Sequence, residues 1–338
     1  MVRRALAAAA AVALVLGAAA PARAETRAEQ WRALAEQTLQ RFEDVDNVAE
    51  QGNTGGTFYT RTYAWAAEAS GRLRGWDDPR TQRYLTKVLS LKTPDGGFGI
   101  GWPVDVLSDG TTNPASTTYT VSMAHHVGEA FLEAYKHDAL PAAEVQNLVN
   151  QIMATPRINT AAGDCVAYSK HPNDSVVYAC VHNVNAGAGM FLLKAKALGF
   201  NRTGLAALVE GITRREVASY DVAAKNWHYA DTRFYSDADH TSYSAESMLY
   251  LAPQLGFNVA YQMMITAYSD NDKAPVTHLR LSGLPTGVGP LPPAPADVGR
   301  WCTMADRWTS EVQTYIDGLT DPDRMTQAAQ LAARNADA

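Results

Sequence analysis

Residues 113–126, NPASTTYTVSMAHH, run from a polar, aromatic-bearing turn into an apolar helix, and the same design recurs along the chain. It is found as GGTFYTRTYAW from Gly55, CVHNVNAGAGMFLL from Cys180 and DADHTSYSAESMLYL from Asp237, with a fifth candidate, RWCTMADRW, from Arg300. Taking Gly56, Thr117, Asn183, His240 and Cys302 as equivalent starts gives separations of 61, 66, 57 and 62 residues. A period of that length suits two antiparallel helices and their connections. If such hairpins close into a ring, every inner helix begins at the same mouth, and polar clusters far apart in sequence converge there.

The intervening segments have a different character. PAAEVQNLVNQIM and NRTGLAALVEGITRRE carry charge on one face, whereas the repeat-opening helices are rich in Ala, Gly, Ser, Met and aromatics. An inner and an outer layer accounts for the contrast. Helices are expected at 27–44, 57–73, 79–92, 116–136, 141–155, 183–199, 203–217, 240–256, 258–269 and 302–318. Two long irregular stretches interrupt them, at 94–115 and at 271–300; the second, with GLPTGVGPLPPAPADVG, reads as a surface strap or lid.

Residues 1–24 read as a secretory signal: Arg3 and Arg4, an apolar run from Ala5 to Ala20, and the A-x-A site Ala22-Arg23-Ala24. A single domain over 25–338, exported from a bacterium, is therefore expected. Cleavage removes three arginines and moves the formal charge from -6 to -9. That balance disfavours nucleic acid as a partner, and no later apolar run is long enough to give a membrane partner after cleavage. Of three cysteines, Cys165 and Cys180 bracket a short polar loop and are the expected bridge; Cys302 is left over.

The chemistry-bearing residues gather at the repeat openings. His182, Asn183 and Asn185 open one, His240 and Tyr243 share a face of another, and Arg233, Tyr235 and Asp239 lie just before or within it. Asn183 and Asp239 also stand where helix caps belong. His125 and His126 fall in mid-helix, where one of the two is expected to face the bore. Trp102 and Tyr119, with Tyr59, Tyr63 and Trp227, offer flat rings to a sugar face or to a helical core. Asp237, Asp239 and His240, or Asp270-Asn271-Asp272, make oxygen-rich groups without a complete ligand set, so no cofactor is expected and calcium is the cation left open.

The turn Asp95-Gly96-Gly97-Phe98-Gly99 followed by Thr117, Thr118 and Tyr119 resembles a repeat of the α/α toroid of terpenoid cyclases and protein prenyltransferases. The resemblance implies an all-α toroid, an incomplete barrel of about five helical hairpins. It does not imply those activities, because the acidic D-x-D-D run and the Asp, Cys and His zinc set are missing. In ingredients, His182-Asn183, His240, Tyr243 and Arg233 resemble the site of the alginate-lyase-like polysaccharide lyases. That likeness implies β-elimination from a uronic-acid-containing polysaccharide, with Asn183 and His182 neutralising the carboxylate and Tyr243 or His240 moving the proton. Two alternatives stay open: a glycoside hydrolase using Asp105, Asp237 or Asp239, and a non-catalytic toroid holding an apolar, terpenoid-like ligand.

Overall fold

The computed structural model describes residues 26–50, 59–105, 110–172, 174, 180–231, 235–236, 238–256, 314 and 316–337. The expected signal peptide, the 271–300 strap, the helix at 258–269, most of that at 302–318, and Cys302, Arg233 and Asp237 lie outside the described residues, as does the side chain of Asp239.

The described chain is mostly helical. Helix α1 (Arg27–Glu50) buries the stripe Trp31, Leu34, Leu39 and Phe42. Helix α2 (Thr60–Arg74) buries nearly every side, and α3 (Pro79–Ser90) starts where Asp78 accepts from the backbone N–H of Arg80 at 2.8 Å, with Pro79 in its first turn. A π-helical segment, Ser122–Gly128, continues as α4 (Glu129–Lys136); α5 (Ala142–Met153), α6 (His182–Ala197), α7 (Leu205–Ser219), α8 (Ala238–Gln254) and α9 (Pro322–Asp337) follow. The helices that open the repeats are buried around most of their circumference. By contrast, α3, α5 and α7 bury one stripe each, such as Val145, Leu148, Val149 and Ile152 of α5.

Packing runs from α2 to the π segment, from there to α6, and from α6 to α8, while α9 lies against α1 and α2. Charged side chains from these helices pair with one another in the interior. Glu68 on α2 accepts from Arg334 of α9 at 2.6 and 2.9 Å, from Gln330 at 2.6 Å and from Arg72 at 3.1 Å. Arg334 reaches Glu246 of α8 at 3.2 Å, and Lys194 of α6 reaches Glu129 of α4 at 2.7 Å. Burial opposes ionisation of Glu68, but the charges of Arg334 and Arg72 outweigh it and hold this carboxyl well below its ordinary value. Glu68, Glu129, Lys194, Glu246 and Arg334 thus link α2, α4, α6, α8 and α9 through one buried network of charges.

The Asp95-Gly96-Gly97 turn is held from several sides. Asp95 Oδ1 accepts from the hydroxyls of Thr93 at 2.7 Å and Thr118 at 2.5 Å, and the amides of Asn147 and Gln151 on α5 donate to the carbonyls of Gly96 and Asp95. Gly96 has φ +82°, a conformation that favours glycine.

Three features differ from the sequence reading. Two antiparallel hairpins occur within stretches read as loop: β1 (Arg157–Thr160) with β2 (Gly163–Val166), and β3 (Tyr220–Asp221) with β4 (Asn226–Trp227). Helix α9 was not anticipated, because its buried face is largely Ala and Gln rather than large apolar residues. Finally, the wider turn of the π segment lets both adjacent histidines face neighbouring helices, where an α-helix would turn one aside. The expected bridge is present: Cys165 at β2 and Cys180 just before α6 form a disulfide.

Candidate functional site

Two clusters meet at the first turn of α6, and consecutive residues belong to different ones. His182 is buried and both its ring nitrogens face carboxylates: Nδ1 lies 2.9 Å from Glu216 of α7 and Nε2 lies 3.2 Å from Asp231. Asn185, one turn along, donates to the other oxygen of Glu216 at 2.7 Å and accepts from the N–H of Val166 at 3.0 Å. Asp231 in turn pairs with Arg215 and accepts from the N–H of Cys180 at 3.3 Å. Burial works against a charged ring, but the Glu216 charge and the hydrogen bonds to Asp231 and Glu216 prevail, raising the His182 pKa to about 9. Burial likewise pushes the Asp231 carboxyl up, and the hydrogen bond and charge of His182 with that of Arg215 bring it below its ordinary value. His182 is thus an imidazolium at neutral pH, with both N–H groups committed to protein.

Asn183 faces a different environment. Its side chain is 4 % exposed, and its Oδ1 is buried without a hydrogen-bond partner among the described residues. Its backbone carbonyl accepts from Nε2 of His125, on the π segment, at 2.8 Å. A carbonyl oxygen only accepts, so Nε2 of His125 carries a proton. The His125 ring can approach α6 this closely because residue 187 is glycine: a Cβ there would stand 2.0 Å from Nε2.

The His125 ring also packs edge-on against Tyr243 of α8, with centroids 4.7 Å apart. From the far side, Nε2 of Gln327 on α9 donates to the Tyr243 hydroxyl at 2.9 Å. Gln327 is positioned by the turn before it, where Asp323 pairs with Arg61 at 2.6 Å and accepts from Thr62, tying the start of α9 to the start of α2. Asn183, His125, Tyr243 and Gln327 therefore form one linked group from four helical segments. A buried amide oxygen without a partner costs free energy, so a group that completes its hydrogen bonding is favoured there.

The other candidates have surroundings of their own. His240, one turn before Tyr243, lies edge-on to Tyr229 at 5.0 Å. Trp102 rests on Tyr59, centroids 3.9 Å apart, with the Arg61 guanidinium 5.9 Å from its centre. Tyr119 is fully buried against Tyr168, and burial raises its phenol to about 12. Tyr235 is exposed, stacks on His228 and donates to Asp221 at 2.6 Å. Tyr63 and Trp227 are core residues that donate to Asp46 and to the Glu216 carbonyl. Asp105 accepts from the N–H of Gly110 at 2.9 Å.

Sequence reading did not single out Glu216, Asp231, Gln327 or Asp323. The first two sit where polar residues ordinarily face water. The last two carried a weak signal, an Asp-Pro-Asp start at 321–323 of the kind that opens helices. Among the described residues no helix is long and apolar enough to cross a membrane. No family model, curated protein or solved structure matches this chain.

Proposed function

We propose that the chain is an exported α/α toroid that cleaves a uronic-acid-containing polysaccharide by β-elimination at the Asn183–His125–Tyr243–Gln327 group. The observation that carries this reading is the buried, unpartnered amide oxygen of Asn183, a residue whose backbone carbonyl binds the His125 ring that packs on Tyr243, whose hydroxyl oxygen accepts a hydrogen bond from Gln327. The buried network of charges formed by Glu68, Glu129, Lys194, Glu246 and Arg334 supports the ring arrangement.

The chemistry follows from the donors. Rotation about χ2 exchanges the two ends of the Asn183 amide, so its NH2 can meet a substrate carboxylate. Neutralising that carboxylate makes the neighbouring C5 proton removable. Tyr243 as phenolate, its oxygen held by the Gln327 N–H, takes the C5 proton. The C5–H electrons form the C4–C5 double bond, the C4–O bond breaks, and the phenol returns its proton to the departing oxygen. His125 is a positioning residue that fixes the Tyr243 ring and the first turn of α6. The Tyr59–Trp102 pair offers a face for a neighbouring sugar ring. His182 and Asn185 are left with structural roles, since their polar atoms are taken.

The test is ultraviolet absorbance of the protein incubated with a panel of uronate polymers. An unsaturated uronate appearing with wild-type protein and missing with Tyr243→Phe supports the reading. New reducing ends without unsaturation would replace it with a hydrolase.

A further inference from the structure

We propose that Cys165, Cys180, His182 and Glu216 form a zinc site masked by the Cys165–Cys180 disulfide and opened when that bridge is reduced. One ligand atom each from Cys180, His182 and Glu216 lies within 4.8 Å of the others, and all three residues are buried. Glu216 Oε2 is 2.9 Å from His182 Nδ1, and Glu216 Oε1 is 3.7 Å from Cys180 Sγ. Tetrahedral zinc, with bonds of about 2.0–2.3 Å, sets its ligand atoms roughly 3.3–3.8 Å apart. These three ligand atoms therefore need to shift by about 1 Å at most to reach zinc spacing, and the freed Cys165 sulfur, bonded to Cys180 in the oxidised protein, supplies the fourth ligand.

An outer shell is already built. A zinc-bound histidine ordinarily donates its other N–H to a carboxylate, which fixes the ring. Here His182 Nε2 faces Asp231 at 3.2 Å, and Asp231 is itself held by Arg215 and the Cys180 N–H. Glu216 is oriented by Asn185 at 2.7 Å.

The redox step balances with a dithiol or phosphine reductant. Two electrons and two protons break the S–S bond to give two thiols, while the reductant closes its own disulfide or becomes a phosphine oxide with oxygen from water. Zinc then displaces both thiol protons and the proton on His182 Nδ1 to solvent. With four protein ligands the site is closed, so its role is structural. It lies one residue from Asn183 and is independent of the lyase reading.

The experiment is a cobalt(II) titration of the full chain after anaerobic phosphine reduction. One equivalent should give tetrahedral d–d bands and a thiolate-to-cobalt charge-transfer band, both abolished by zinc and both missing in the oxidised protein. Cys165→Ser frees Cys180 without any reductant and should show about half the charge-transfer intensity, given one thiolate in place of two. Asp231→Asn should weaken binding by roughly 10- to 100-fold. Reduced wild type and Cys165→Ser both lacking the band, whether or not they keep their helical circular dichroism, would overturn the proposal. So would a band of unchanged affinity in His182→Gln or Glu216→Gln.

Discussion

His182 and Asn183 are neighbours on one helical turn, equally buried, and the protein treats them in opposite ways. Around His182 every ring nitrogen meets a carboxylate, and the carboxylates are themselves held by Arg215 and Asn185. Around Asn183 the backbone is engaged by His125 while the side-chain oxygen is left without a partner among the described residues. A satisfied buried network specifies structure, and an unsatisfied buried polar group calls for a specific explanation, a catalytic role or a bound partner among them. On that basis the two sides of the turn should respond differently to substitution, one in stability and the other in activity.

The sharpest break is expected at Tyr243. Tyr243→Phe removes the proton carrier and should lower the rate of elimination by about 10²- to 10⁴-fold, read from single-turnover kinetics, with a loss of about 1–3 kcal/mol of stability because the buried Gln327 amide loses its acceptor. On the other side of the turn, Glu216→Gln leaves the His182 imidazolium without its nearest counter-charge. Breaking a buried pair in this way costs about 3–5 kcal/mol, measurable by urea denaturation.

Asn183→Ala should separate the two sides within one helix turn. Its loss from the rate is expected at about 10²- to 10³-fold, the scale of a removed charge-stabilising donor, and its effect on stability should be near zero, since it deletes an unpartnered group. The pH dependence provides a further contrast. The His182 pKa is raised from 6.5 to about 9, so its contribution to stability is complete below about 6.5 and is lost as pH rises through about 9. Melting temperature in wild type should fall across that window, and His182→Gln should flatten the fall. Asp231, whose pKa is lowered from 3.8, adds stability above that value that is lost as pH falls.

The smallest effect is expected at Gln327. Removing its donor in Gln327→Ala should cost about tenfold in rate, equivalent to one hydrogen bond of roughly 1.4 kcal/mol, read from the same single-turnover kinetics.

Much of the scaffold was legible in the chain. Apolar periodicity marked α1, Pro79 after Asp78 marked the start of α3, and the short polar loop between two cysteines marked the disulfide. The candidate site was legible only in part. Asn183, Tyr243 and His182 stood out as polar residues at repeat openings, but nothing local distinguished an engaged His182 from an open Asn183. That distinction is made by Glu216 and Asp231, 34 and 49 residues away in sequence, and by Gln327 on a helix whose Ala- and Gln-rich buried face gives little hydrophobic signal. The π segment was equally hidden, because its register depends on His125 and His126 finding partners on α6 and α2 rather than on local propensity.

The central claim is tested most directly by following unsaturated-uronate formation, by ultraviolet absorbance, with wild type, Asn183→Ala and His182→Gln on the same polymer at a temperature where all three are folded. The account predicts product from wild type and from His182→Gln and nearly none from Asn183→Ala. Silence from wild type on every uronate polymer would contradict it, as would activity that survives in Asn183→Ala and disappears in folded His182→Gln.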